Sequence, residues 1–184
     1  MHQNPWTIHA EKKIYDNPWI EVTEFQVLNP KGNKGIYGKV SFKNRAVGIV
    51  AIDADLNVYL VGQYRFTLNQ YSWELPEGGS PLGESLLVSA KRELREETGL
   101  MAKNWEHLLD IHLSNSVTDE FGCLFLATDL SFGESNPEDT EDLIVKKLHL
   151  DSAIEMIYKG EITDSLTIAG LLRTKLLCIE RQII

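Results

Sequence analysis

A chain of 184 residues, 43% hydrophobic and 24% charged, is long enough to bury one sizeable core and leaves little room for a second independent domain. Its net charge of -9 argues against nonspecific binding to nucleic acid or to a membrane surface, both of which need basic patches, and an anionic substrate would be repelled without bound cations. The N-terminus has no apolar signal core, no run reaches membrane-spanning length, and Cys123 and Cys178 are too few for a disulfide framework, so core thiols and a cytoplasmic setting are expected.

From residue 6 to residue 42, short β-branched or aromatic runs alternate with turn residues: Asn17-Pro18, then Ile20 to Leu28, then Asn29-Pro30-Lys31-Gly32, then Gly35 to Phe42. This predicts a pair of strands ahead of the main domain. Ala46 to Ile52 and Val58 to Tyr64 are apolar strand-like runs joined by a hairpin connection, Asp53 to Asn57. Tyr71 to Gly79 predicts a strand running into a tight loop, because Gly78 and Gly79 permit backbone conformations that other residues resist.

The stretch from Glu84 to Thr98 lacks Gly and Pro, and Gly99 supplies a helix-ending residue, so one helix is predicted there. At roughly 100° per residue, Leu86, Leu87, Ala90 and Leu94 form an apolar stripe; Glu97 falls within it and Glu93 on its border. Glu96 lies on the flank, four positions from Arg92, where the two charges can pair. A carboxylate on the core-facing side of a helix is costly to desolvate, and crowded carboxylates raise one another's pKa unless a cation is present. Mg²⁺ answers both difficulties, since it takes oxygen ligands and works with one or two carboxylates plus substrate phosphates. The alternative is a solvated acidic face crossed by ion pairs.

Beyond the helix, Trp105 to His112 and Gly122 to Asp129 predict two further strands around the segment Ser114-Asn115-Ser116-Val117-Thr118-Asp119-Glu120. A polar, acidic loop from Gly133 to Asp142 precedes a strand from Leu143 to Leu148. Asp151 is the predicted cap of a short helix ended by Gly160, and Asp164 of a longer one running to about Arg181, with Leu166, Ala169, Leu172 and Leu176 as its core stripe.

The spacing of Gly78, Glu84, Arg92-Glu93-Leu94, Glu96-Glu97 and Gly99-Leu100 resembles the Nudix box at every fixed position. That resemblance implies an α/β (α+β) fold, an α/β/α sandwich with a mixed sheet. Here an additional N-terminal antiparallel sheet would precede it, dividing the chain at 1–45 and 46–184. The implied activity is Mg²⁺-dependent hydrolysis, with Mn²⁺ as a substitute, of the pyrophosphate bond in a small-molecule nucleotide, a nucleoside diphosphate sugar such as ADP-ribose. Nucleoside triphosphates and dinucleoside polyphosphates are alternative substrates for the same box, and a nucleotide-binding regulator is the non-enzymatic alternative.

By the same resemblance, Glu93 and Glu97 are the main metal ligands, Glu96 is shared between metal and hydrogen-bond network, and Glu84 is a further metal or network carboxylate. The backbone carbonyl of Glu77 is another ligand, and Arg92 orients Glu96 or Glu97. Gln63-Tyr64-Arg65-Phe66 resembles a basic motif whose arginine contacts substrate phosphate; Arg45 is a weaker candidate, and an ion pair is the alternative for each. Glu74 is a substrate or metal contact or else a strand-face charge. Trp19 stands where the ADP-ribose branch places an aromatic that stacks on the nucleobase, although core or interface is the commoner role of such a residue. The N-terminal sheet in that branch exchanges across a homodimer. The loop before the last strand supplies the glutamate that orients or deprotonates the attacking water, with Glu141 the first choice and Glu138 the second. Asn115 and Ser116 depart from the branch's Ser-Pro-Gly, which loosens the expectation of strict ADP-ribose specificity.

Overall fold

The computed structural model describes residues 3–133 and 143–183. Its first three strands, β1 (Thr7–Asp16), β2 (Ile20–Leu28) and β3 (Lys34–Phe42), form an antiparallel sheet in that order. Asn17 reverses the chain between the first two, its Oδ1 accepting the backbone N–H groups of Trp19 and Ile20 at 2.8 Å each. β1 adds a third strand to the predicted pair. All ten of its residues are exposed, so no buried face imposes the alternation by which a strand is read.

The rest of the chain supplies β4 (Asn44–Ala51), β5 (Asn57–Arg65), β6 (Gln70–Glu74), β7 (Glu77–Pro81), α1 (Leu86–Thr98), β8 (Leu100–His112), β9 (Phe121–Phe132), β10 (Ile144–His149), α2 (Leu150–Tyr158) and α3 (Ser165–Glu180). One sheet has the order β7-β4-β9-β8 and is mixed, because β4 runs parallel to β9 while its other pairings are antiparallel. The other, β10-β5-β6, is antiparallel throughout.

The hairpin expected between β4 and β5 closes on a single bridge, Ile52 opposite Val58, after which the strands part into different sheets. The composition of β4 explains the parting. Val47, Ile49 and Ala51 pack with Ala90 and Leu94 of α1, whereas Val50 and Ile52 pack with Leu166 and Leu171 of α3. A strand apolar on both faces belongs between two helical layers, not at the edge of a hairpin. The result is a mixed sheet sandwiched between helices, with the N-terminal sheet added.

Three local expectations are corrected. Gly78 and Gly79 lie in β7, paired with Val47 and Ala46, and not in a tight loop. The cap of α2 is His149, whose ring accepts the Asp151 N–H, because the helix begins one residue before Asp151. In α3 the buried residues are Leu166, Thr167, Gly170, Leu171, Thr174, Leu177 and Cys178, while Leu172 and Leu176 are exposed. The helix is rotated so that Gly170 meets the sheet, where a Cβ would come within 2.8 Å of Leu75 and 3.0 Å of Val50. Asp164 does cap α3, its Oδ2 accepting the Thr167 N–H at 2.7 Å. Among the described residues no helix is long and apolar enough to cross a membrane.

Candidate active site

Helix α1 carries the predicted carboxylates as its periodicity demands, with Glu97 at 5% and Glu93 at 9% exposure on the face that packs against the sheet. Gly99 ends the helix at φ 70°, in the left-handed region. The helix starts at Leu86, after Glu84, whose carboxylate Oε2 accepts the Ser89 hydroxyl at 2.5 Å. Glu97 Oε2 accepts the backbone N–H of Glu77 at 2.9 Å, which fastens the helix to β7. Gly78 has a reason other than a turn: a Cβ there would lie 2.2 Å from Glu93 Cδ. The carboxylate occupies the space that any other residue would fill.

Arg92 holds three acceptors at once. Its Nη1 lies 2.8 Å from both Glu93 Oε1 and Glu96 Oε2, and its Nη2 donates to the Gly79 carbonyl at 2.8 Å. Of the two carboxylates it was expected to orient, the structure pairs it with Glu96, and it adds Glu93.

A second layer of charge faces the first. Arg65 Nε donates to both carboxylate oxygens of Glu74 at 2.9 and 3.0 Å, and Nη2 donates to Glu74 and, at 3.1 Å, to Glu77 Oε1. Glu74 is 2% exposed, so it is neither a surface charge nor open to solvent but the anchor of Arg65. Glu77 Oε2 is buried with no hydrogen-bond partner. Burial pushes the Glu77 carboxyl well above the ordinary carboxylate range, and the nearby charges of Asp164, Glu74 and Glu97 push it further against the opposing pull of Arg65. Glu120 is raised for the same reasons, burial first and Asp164 second.

Arg45 lines the same cleft as Arg65 and Glu77. Its Nη2 reaches Ser80 Oγ at 3.2 Å, the Pro81 carbonyl at 3.3 Å and the Glu84 carbonyl at 2.5 Å, while its Nε is buried without a partner. It therefore fastens β4 to the turn that starts α1. Arg45, Arg65, Glu77, Gly78, Glu97 and Glu120 together line a cleft of about 280 Å³. A larger cavity of about 650 Å³, lined by Leu126, Phe132 and Leu177, lacks this chemistry: its carboxylates Asp53 and Asp129 are paired with Lys147 and Lys103.

The donor set suits a hard divalent cation. It is all oxygen, it holds more carboxylates than arginines, and one buried carboxylate oxygen is orphaned.

Not every predicted residue joins this cleft. Trp19 follows β1 at 68% exposure, outside both core clusters. Glu138 and Glu141 lie outside the described residues. Two residues that sequence reasoning did not place in the site are Glu120 and Asp164. Glu120 is positioned by the preceding segment, which docks on β3: Val40 N–H donates to the Val117 carbonyl at 2.9 Å, and Asp119 Oδ1 accepts the Phe42 N–H at 2.9 Å. Asp164 was visible only as a helix cap, a role that gives no hint of its charged neighbours.

A family model described as the NUDIX domain matches residues 42–159. The ADP-ribose pyrophosphatase of Mycobacterium tuberculosis (strain ATCC 25618 / H37Rv) is 38% identical over 130 residues, which is 69% of this chain and 63%, less than two thirds, of that relative. The ADP-ribose pyrophosphatase of Bacillus subtilis (strain 168) is 29% identical over 160 residues, 86% of each chain. A crystal structure described as an ADP compounds hydrolase superposes with a TM-score of 0.89 over 100% of both chains; at 19% identity it establishes the likeness of fold.

Proposed function

The chain belongs to the Nudix family, and on that premise we propose that it hydrolyses the pyrophosphate bond of nucleoside diphosphate sugars, ADP-ribose among them, to a nucleoside monophosphate and a sugar phosphate. The observation that carries this reading is the carboxylate-rich cleft with Arg65 set among Glu74 and Glu77. It matches a diphosphate that arrives with its own cations.

Glu93, Glu97 and Glu96, with Glu84 and the Glu77 carbonyl, would hold Mg²⁺, or Mn²⁺ in its place. Such an ion, when bound, lowers the pKa of water and neutralises the diphosphate. Arg92 keeps Glu93 and Glu96 in place. Arg65, anchored by Glu74, turns its guanidinium from Glu77 to a substrate phosphate, and Arg45 offers a second positive edge to the cleft. Glu141, with Glu138 as second choice, receives the proton of the attacking water. Trp19 stacks on the nucleobase.

The region 1–45 joins the main domain 46–184 to a second copy in a homodimer. In support, Ile8, Ile14, Tyr15 and Ile36 of the N-terminal sheet are all more than half exposed, an apolar surface of the kind that a partner covers. Both cysteines are free and buried, which suits the reducing cytoplasm.

Product analysis on ADP-ribose, other nucleotide sugars, nucleoside triphosphates and dinucleoside polyphosphates, with and without Mg²⁺, tests the reading. Mg²⁺-dependent release of a nucleoside monophosphate and a sugar phosphate is expected; turnover confined to triphosphates would overturn it. Glu97→Gln should lower turnover by orders of magnitude with the fold intact. Near-normal activity of that variant would remove Glu97 from the metal set.

A further inference from the structure

Remote from the glutamate cleft, the ladder between β8 and β9 brings three unlike donors together. The register of β8 slips by one residue between His107 and Leu109. An extra residue in one strand turns the following side chains over. Accordingly the consecutive residues Leu108 and Leu109 both pack toward the α3-side core, while His107 and Asp110 emerge together on the opposite face, beside Phe125 and Cys123. His107 Nε2 lies 2.8 Å from Asp110 Oδ1. Among the described residues, His107, Asp110 and Cys123 are the one group of three whose ligand-type atoms all lie within 4.8 Å of one another.

We propose that these three side chains form a second metal site, one that takes Zn²⁺ or an ion of similar softness. A nitrogen, a thiolate sulfur and a carboxylate oxygen are the donors Zn²⁺ accepts, at bonds of about 2.0–2.3 Å and hence with donor atoms about 3.5 Å apart. With all three atoms within 4.8 Å of one another and His107 Nε2 at 2.8 Å from Asp110 Oδ1, small side-chain rotations bring the trio to that spacing. Mg²⁺, which prefers oxygen alone, has no use for two of the three donors.

Cys123 forms the floor at 1% exposure, and His107 and Asp110 stand half-exposed at the mouth, so the fourth position of the ion faces solvent. The Phe125 ring, 6.0 Å from that of His107, walls one side. Without an ion the thiol keeps its proton, since burial and the Asp110 carboxylate push it up to about 12. Metal binding forms the sulfur–metal bond and releases that one proton to solvent.

Pairing across the sheet sets the distance from the hydrolytic centre. Asp110 pairs with Cys123, Cys123 with Val47, and Val47 with Gly78, against which Glu93 packs. Three strand spacings, roughly 14 Å, therefore separate Asp110 from Gly78. A bound ion would tie β8 to β9 without touching the cleft.

Co²⁺ is the probe. Added to the full-length, chelator-stripped protein in excess Mg²⁺, it should saturate one site with a sulfur-to-cobalt charge-transfer band in the near ultraviolet, which Zn²⁺ then abolishes. Carboxylates cannot produce that band, so the result is independent of the hydrolase reading. Cys123→Ser should lose the band and Cys178→Ser keep it. His107→Ala, at an exposed position that leaves the core intact, should weaken Co²⁺ binding by about tenfold or more. No thiolate band at saturating Co²⁺, a band that follows Cys178, or unchanged affinity in His107→Ala would each overturn the site.

Discussion

Glu93 and Gly78 show how a residue's identity is set by a contact that lies far off in sequence. The burial of Glu97 was legible in advance, because helical periodicity places it within the apolar stripe, and that of Glu93 partly so, since it falls on the border of the stripe. The role of Gly78 was not, since the space it vacates is filled by a side chain from another element. Nor were the neighbours of Glu120 and Asp164: the first lines the cleft with Glu77, and the charge of the second reaches both, only after the chain has folded. Gly78→Ala follows as a sharp test. Its methyl must displace the Glu93 carboxylate, so turnover should fall by about a hundredfold or more while overpacking lowers stability by about 1–3 kcal/mol. Steady-state kinetics beside urea denaturation would measure both, and turnover close to that of the parent would show that Glu93 can work from elsewhere.

At the level of elements, what the sequence displayed was where strands and helices lie, and what it concealed was how they are rotated and paired. The stripe Leu166, Ala169, Leu172, Leu176 is a valid helical spacing, yet α3 is rotated so that Leu166 stays buried while Leu172 and Leu176 face out, and Gly170 lets the helix lie close against Leu75 and Val50. That rotation also delivers Thr167 to the connection between β6 and β7, where its hydroxyl accepts the buried Leu75 N–H at 2.9 Å. Leu75 separates Glu74 from Pro76 and Glu77, so one hydrogen bond from α3 steadies the strand ends that hold Arg65. Thr167→Val keeps the shape and orphans the N–H; a loss of about 1–3 kcal/mol in a chemical denaturation series is expected. An unchanged midpoint would mean that another acceptor takes over.

The whole molecule carries more negative than positive charge, and its response to acid depends on where the carboxylates sit. Asp53 joins the turn after β4 to β10 through Lys147, at 2.7 Å, and accepts the Asn57 N–H at 2.9 Å. Burial opposes its ionisation, but the bonds from Lys147 and Asn57 outweigh it and hold the carboxyl at about 2. Because the folded value is depressed, the stabilisation is complete above the unfolded value near 4 and is lost as pH falls toward 2, amounting to about 2 kcal/mol. Asp53→Asn should flatten that part of the acid-unfolding profile while shifting stability at pH 7 downward. The profile of the variant running parallel to that of the parent from pH 4 to 2 would refute the assignment. At this scale the class was legible through the Nudix resemblance, whose spacing implied a mixed sheet between helices and marked where its acidic helix lies. The exposed β1 escaped notice because its partner is another strand's backbone and not a core.

The parallel pairing of Ala46 to Ala51 with Gly122 to Ala127 joins the two strands at the centre of the mixed sheet. Everything between them in the chain, from β5 through α1 to β8, is enclosed in the loop that this pairing closes. Closing so long a loop is slow, since the entropy is lost before the contacts form. The acidic helix can coil early, but Glu93 has no Gly78 to rest on until β7 finds β4. Refolding followed at once by far-ultraviolet circular dichroism and by recovered turnover should therefore show helix signal well before activity, because the carboxylate cleft is complete only when β7 has paired with β4.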